Sequence, residues 1–344
     1  MKICVTGIRY WENEMNWDNK LPLNLDVLPL NNAQTETIFN QYTVRFRQGQ
    51  INSDHPFYPK SSDLKVMRDD TIASVICAQL LMDYADFPDT VKDEMCLMVA
   101  NSNFIDNGIL DFNSIAQAIS EIQKANTAEE KNRSLGAEVS PLIPLRTLTN
   151  GAESFVAQYT QIKGESTTCG STCISTGHAL DDAMSLFKLG VAQTAMVGGS
   201  HFANVFSFLN HYLQLSDCEG YAESTSASFF LIETASHANL QGREVLLWIE
   251  NLLFNQWPAS TEKVSRVYCG GSFTQGDSDS LLLRCQKEFS IEAITLFPFL
   301  GSLGCSELGF LLALADIQLE QGESALIYME DVFGAFLCLT VKKP

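Results

Sequence analysis

The sequence predicts a layered α/β protein with helices buried inside it, and two features carry that prediction. Apolar residues make up 46% of the 344-residue chain and charged residues only 18%, so many elements must be buried on both faces. Strand–helix–strand order also recurs in both halves of the chain, with no internal repeat at the level of residues. One domain built of two halves is the natural arrangement.

Taken in order, Lys2 to Thr6 reads as a short apolar strand. Residues 11–65, rich in Asn, Asp and Pro, read as mostly irregular. Ile72, Val75, Ile76 and Leu80 fall at helical spacing, and a strand follows at Met95 to Ala100. Phe112, Ile115, Ala116, Ile119 and Ile122 mark a further amphipathic helix, and "NTAEEKNRSLGAE" after it is a solvated loop. A helix near Glu153 to Gln161 leads into the strand "STTCGST", a long helix and the strand "AMVGG". In the second half, strands are expected at Ala227 to Glu233, Val245 to Phe254 and Ile291 to Phe297. A very apolar helix is expected at Cys305 to Leu319, with closing strands at Ala325 to Met329 and Phe336 to Val341.

Acidic side chains number 41 against 22 basic ones, a formal charge of −19. A field of that sign repels nucleic acid, anionic membranes and any acidic protein partner. Ten cysteines at irregular spacing in so long a chain do not form a secreted disulfide scaffold. "MKICVTGIRY" lacks the apolar run of a signal peptide, and the apolar stretch around Leu308 to Ile317 is too short to span a bilayer. The expected compartment is therefore the reducing cytoplasm, with most cysteines serving as small buried groups. Cys169 and Cys173 form a C-x3-C pair without companions at zinc-type spacing, so neither metal nor cofactor is expected.

Cys173 stands where a small, polar strand turns sharply into a helix. A thiol at the first turn of a helix lies in the positive end of the helix dipole, which favours thiolate. On spacing alone the plainer reading, one more small buried residue, is favoured. The wider pattern changes that balance. "KICVTGI", "VSPLIPLRTLTNGAESFVAQYTQIKG" (139–164), "CISTGHALDDA", "AMVGGSH" and "GYAESTSASFFLIE" (220–233) together resemble the β-ketoacyl synthases of the thiolase superfamily. The resemblance covers residues 1–10 and most of 65–344. It implies a thiolase-like five-layer αβαβα fold of two similar halves, 1–241 and 242–344, dimeric through the strand before the nucleophile. It also implies that a cysteine at position 173 takes an acyl chain from acyl carrier protein, and that two histidines support decarboxylative condensation.

The sequence departs from that family at the groups that do the chemistry. "CGGSFTQGD" (269–277) matches the stretch opened by the first family histidine, which places Cys269 at the histidine position. "FLGSLGCSELG" (299–309) matches the turn of the second, placing Gly301 or Ser302 there, and the upstream family lysine is absent. The glutamate of the Gly-Glu-Gly-Ala hairpin becomes Thr225, and the Phe-Gly-Gly loop is reduced to "VFGAF", with Phe333 at its centre. The five histidines are His55, His178, His201, His211 and His237; both family histidines come from the second half, so neither is present. His178 lies five residues beyond Cys173, about 140° around the same helix, and reads as a satisfied core residue. His201 is the better substitute base.

Without both histidines, decarboxylative condensation is lost even with Cys173 intact, since one oxyanion donor alone is typically worth about 100- to 1,000-fold. The resemblance therefore implies a non-catalytic subunit of the chain-length-factor kind, and the kept cysteine with both histidines gone looks more like the partner subunit of bacterial aryl polyene systems. Such a subunit heterodimerises with an active ketosynthase, as a heterodimer or heterotetramer, and leaves acyl carrier protein docking mainly to its mate. In the family, residues just after the Ser-Pro pair line the far end of the acyl tunnel at the dimer interface. By position these are Leu142 and Ile143, with Leu148 nearby; Phe333 is assigned to the same wall. The alternative is a thiolase-fold acyltransferase using Cys173 without decarboxylation, for which only His201 could move the proton. A third reading is an acyl-binding pseudoenzyme outside any synthase.

Overall fold

The computed structural model describes residues 1–12, 34–38, 42–47, 51–101, 120–121, 123–124, 127–130, 148, 150–170, 172–203, 207–208, 215, 218–258 and 264–344. In the first half these form β1 (Ile3–Glu12), β2 (Gln34–Ile38), β3 (Tyr42–Arg47), α1 (Asp69–Ala85), α2 (Asp89–Glu94), β4 (Cys96–Asn101) and α3 (Gly151–Thr160). There follow β5 (Ser166–Gly170), α4 (Ser175–Lys188), β6 (Thr194–His201), β7 (Ala222–Ser224), β8 (Ser226–Thr234) and α5 (Ala235–Leu240). The second half contains β9 (Leu247–Phe254), β10 (Val264–Gly270), α6 (Gln275–Phe289), β11 (Ala293–Thr295), α7 (Phe297–Leu300), α8 (Glu307–Gln318), β12 (Ser324–Glu330) and β13 (Phe336–Lys342).

Ten strands hydrogen-bond in the order β11-β10-β12-β13-β9-β1-β8-β6-β4-β5, which is two equivalent quintets joined edge to edge. In the first, β5, β4 and β6 run parallel, β8 lies antiparallel to β6, and β1 antiparallel to β8. In the second, β11, β10 and β12 run parallel, with β13 and β9 completing the same antiparallel edge. The join is short: Ile3, Cys4 and Val5 pair with Ile249, Trp248 and Leu247. The two similar halves are thus present in the backbone although no repeat is legible in the residues. A hydrogen-bond ladder specifies strand order without specifying which apolar side chains fill the layers.

Helices complete five layers. α1 and α3 cover the outer face of the first quintet, and α6 covers the outer face of the second. Between the sheets lie α4, which packs on β4, β5 and β6, and α8, which packs on β1 and β8 of one quintet and on β10 and β12 of the other. The sequences explain the placement. Every residue of α8 from Glu307 to Ala315 is buried, as a helix that is apolar all round requires. Gly309 lets it approach β8 closely, since a Cβ there would come within 2.6 Å of the Ser228 Cβ. In α6, capped by a Thr274 hydroxyl that accepts the Asp277 N–H at 3.1 Å, only Ser278, Leu281, Cys285 and Phe289 are buried. That single stripe suits an outer layer.

Several expectations are corrected. Within residues 11–65 the described part is not wholly irregular: β1 continues to Glu12, and β2 and β3 pair antiparallel, β3 also pairing in parallel with β7; residues 51–65 carry no strand. The pairing partner lies far along the chain, so local composition did not disclose it. β10 and α6 were not anticipated, because a polar helix anchored by one stripe carries a weak periodic signal. The strand expected to Phe297 stops at Thr295, and Pro298 in the first turn starts α7 instead. The helix expected over Phe112 to Ile122 lies outside the described residues, apart from isolated positions. No helix of the described residues is long and apolar enough to cross a membrane.

Candidate functional site

The turn between β5 and α4 carries Cys173 two residues ahead of the helix, where Ile174 is the N-cap. Thr172 anchors the turn. Its carbonyl accepts the Ser175 N–H at 3.0 Å, the Ser175 hydroxyl at 2.6 Å and the Cys305 thiol at 3.1 Å. Its hydroxyl donates to Asp331 Oδ2 at 2.8 Å, and Asp331 Oδ1 accepts the Phe333 and Ala335 N–H groups at 2.9 Å. One carboxylate therefore ties the Cys173 turn to the tight turn after β12. The Thr176 hydroxyl donates to the Cys305 carbonyl, which wedges the segment before α8 against the start of α4.

This arrangement seals the Cys173 side chain, which is 2% exposed. Its thiol points at the Glu330 carbonyl, 3.6 Å away. Gly271, the residue after β10, closes the remaining side: a Cβ there would lie 3.1 Å from Cys173 Sγ and on top of the Glu330 carbonyl oxygen. Behind Gly271 sits Glu307, whose Oε2 accepts the Gly271 N–H at 2.9 Å. An added Cβ on Gly270 would meet the Glu307 carboxyl at 2.8 Å, so this carboxyl fills the space in front of β10. Outside the seal is a cleft of about 320 Å³ lined by Gly271, Ser272, Asp277, Arg284, Glu330 and Asp331. Arg284 is ion-paired with Glu330, so the mouth of the site is acidic.

The electrostatics run against nucleophilic chemistry. Burial pushes the Cys173 thiol well above its ordinary value, and Glu307, Asp331 and Cys305 add to the rise. Desolvation thus opposes the thiolate that the start of the helix favours, in line with the plainer reading of Cys173 as a buried residue. Burial also pushes the Glu307 carboxyl up to about 8, against smaller opposing effects of the Gly271 N–H and His201. At neutral pH Glu307 is thus uncharged; burial, with Asp331, silences the thiol, and Glu307 adds to it once ionised.

The other sequence-singled residues are dispersed. Cys269 projects from the outer face of β10, its Sγ 3.3 Å from Cys285 Sγ on α6, and is not brought to Cys173. Gly301 and Ser302 knit their loop to β7, Ser302 exchanging backbone hydrogen bonds with Ala222 and Ser224 at 2.9 Å. The thiol that this segment presents to the Cys173 turn is that of Cys305. Thr225 is buried and accepts the Ala203 N–H at 3.1 Å. His201 is fully buried, its Nε2 3.3 Å from Glu223 Oε1, and it acts on Glu307 rather than on Cys173. His178 is no core residue; it is exposed and stacks on Phe254 with ring centroids 4.3 Å apart. Phe333 and Leu148 are exposed, at 66% and 51%, while Leu142 and Ile143 lie outside the described residues. Sequence reasoning missed Cys305, Glu307, Asp331 and Gly271. Glu307 had a signal, since a single acid at the head of an all-round apolar helix has to be buried.

No protein-family model and no curated protein sequence matches this chain. Its fold is matched along its whole length by solved structures. One is the apo AntDE:AntF assembly, a type II PKS acyl-carrier protein in complex with its ketosynthase bound to the hexaketide. It has a TM-score of 0.69 at 12% identity, covering 100% of this chain and 99% of that one. A second is the ishigamide ketosynthase/chain length factor, with a TM-score of 0.73 at 11% identity and the same coverage. A third is a β-ketoacyl synthase from Burkholderia phymatum, with a TM-score of 0.72 at 12% identity and again the same coverage. The likeness establishes the thiolase-like ketosynthase fold; identities this low say nothing of chemistry.

Proposed function

We propose that the chain is a non-catalytic, chain-length-factor-like subunit that pairs with an active β-ketoacyl synthase and shapes its acyl tunnel in polyketide or fatty-acid-like biosynthesis in the cytoplasm. Aryl polyene synthesis is the setting proposed, with the two halves of the chain meeting near residue 242. The observation that carries the reading is the sealed Cys173 thiol. Every group acting on it raises its pKa except a backbone hydrogen bond, and none of them is an imidazole. The chain has no histidine beyond His237 to supply one. The acyltransferase alternative needs a group to take the thiol proton; Glu307 is nearby, but burial keeps its own proton on at neutral pH, so it has no room for another.

Pairing is supported by β5, the outermost strand of its quintet. Ser166 and Thr167 are exposed, and the strand carries neither a charge nor a proline to blunt its open edge. Val191, 51% exposed, borders the same edge beside Ser166. The partner proposed is an intact ketosynthase, which would also dock most of the acyl carrier protein; the likeness to a ketosynthase/chain length factor supports that choice. Co-expression with an intact ketosynthase should give one stable complex by size-exclusion chromatography. A soluble homodimer that ignores such partners would refute the proposal. In that complex, Cys173→Ala should leave product formation almost unchanged, whereas removing the partner's nucleophile should abolish it. Comparable losses from the two changes would favour the acyltransferase.

Control of chain length is a separable part of the proposal, placed at Leu142, Ile143 and Leu148 with Phe333. Each extension cycle adds two carbons, and each buried methylene contributes about 0.8 kcal/mol. A wall that yields by one side chain changes the preference for another cycle by up to about 1.6 kcal/mol, roughly tenfold. Ile143→Ala should lengthen the products and Ile143→Trp shorten them, read by mass spectrometry of reconstituted complexes. If complexes form normally and neither change moves the distribution, length is set elsewhere.

A further inference from the structure

We propose that Cys269 and Cys285 form a buried dithiol that a low-molecular-weight disulfide converts into an intrachain disulfide, locking α6 onto β10. The two sulfurs are 3.3 Å apart, and both residues are completely buried in the core between the second quintet and α6. All ten cysteines are free thiols, so the reduced state is the one seen here. Neither residue belongs to the Cys173 site: Cys269 faces away from it, across β10. The crosslink would nevertheless reach that site through the backbone, because Cys269 immediately precedes Gly270 and Gly271, which lie against Glu307 and Cys173.

Complete burial does not keep these thiols from a reagent, because of how α6 is held. Its contact stripe is Ser278, Leu281, Cys285 and Phe289, with Cys285 in the middle and the residues on either side exposed. A helix attached by one stripe opens at a lower free energy than the central layer, and opening this one bares both thiols together. The chemistry then follows thiol–disulfide exchange. One cysteine, as thiolate, attacks the small disulfide and expels one small thiolate, leaving a mixed disulfide. The second cysteine, having lost its proton, attacks the protein sulfur of that mixed disulfide and expels the other small thiolate. Two protein thiols are oxidised, one small disulfide is reduced, and the two protons end on its two thiols. Reclosure of α6 selects this pairing over others, since it restores the two sulfurs to contact. Cys338, in the same core, is the competing partner for Cys285.

The full chain would be incubated with oxidised glutathione, alkylated in denaturant and digested with trypsin. Cleavage after Arg266, Arg284 and Lys287 places the two cysteines on separate peptides, 267–284 and 285–287. The expected result is these two peptides joined, two fewer alkylated thiols than the ten of the reduced chain, and reversal by dithiothreitol. The rate should rise in urea well below the unfolding transition, and the thermal midpoint of the oxidised chain should rise. Cys338→Ser should still form the crosslink and Cys285→Ser should not. No loss of thiols, a crosslink between any other pair, or oxidation only after global unfolding would each overturn the proposal.

Discussion

Glu307→Gln should stabilise the protein at pH 7 by about 3 kcal/mol while leaving it unchanged near pH 4. The folded carboxyl titrates at about 8 because it is buried, whereas an exposed one titrates at 4.5. Below 4.5 both states hold the proton and the group contributes no pH dependence. Between 4.5 and about 8 the unfolded chain is ionised and the folded one is not, so folding must take up a proton. Stability therefore falls as pH rises across this window, by about 1.4 kcal/mol per pH unit, and levels off above it. Glutamine is neutral throughout and its Oε1 can still accept the Gly271 N–H. The other titrating groups are common to both proteins, so the difference between two urea-denaturation series at pH 5, 7 and 9 isolates this one. Parallel series would show that Glu307 is not held neutral.

Gly271→Ala should act in the opposite direction, destabilising by roughly 2–6 kcal/mol, which is a large fraction of a domain's stability. The backbone there has φ of +100°, a region that side chains rarely adopt and that costs about 1–3 kcal/mol. The new methyl would also be driven into the Glu330 carbonyl and to 3.1 Å from Cys173 Sγ. The nearer obstacle is backbone and cannot swing aside, so the strands must separate, at about 1–3 kcal/mol more. Gly276→Ala is the control: its φ is ordinary and the nearest atom, Thr274 Oγ1, is 4.0 Å away. In the first turn of α6 that change should be neutral or slightly stabilising. Urea midpoints with unchanged m-values would measure both. Equal effects would mean that β10 is not packed as described.

Much of the fold was legible because the elements that build it are strongly patterned. "AMVGG", "FFLI" and "FLLALA" are apolar on every side, and each became part of an element buried on both faces, in β6, β8 and α8. The solvent gain from burying such runs does not depend on which neighbour supplies the cover. Elements whose identity depends on a distant partner were not legible. The β2–β3 hairpin is held by β7, some 180 residues onward, and α6 by one stripe against β10 and β11.

The state of the thiol depended on tertiary structure in the same way. The strand–turn–helix around Cys173 and the lack of any histidine beyond His237 could be read from the chain itself, because both are local or compositional facts. Its ionisation could not. Locally, a thiol at a helix start is favoured as thiolate, but Gly271, Cys305, Glu307 and Asp331 arrive from about 100 to 160 residues away to bury it. Desolvation is a property of the assembled surroundings, and it outweighs the dipole that the local chain supplies. The same holds for Cys269, which the order of residues aligned with a catalytic histidine. The alternation of β10 turned its side chain to the outer face, where its partner is another thiol.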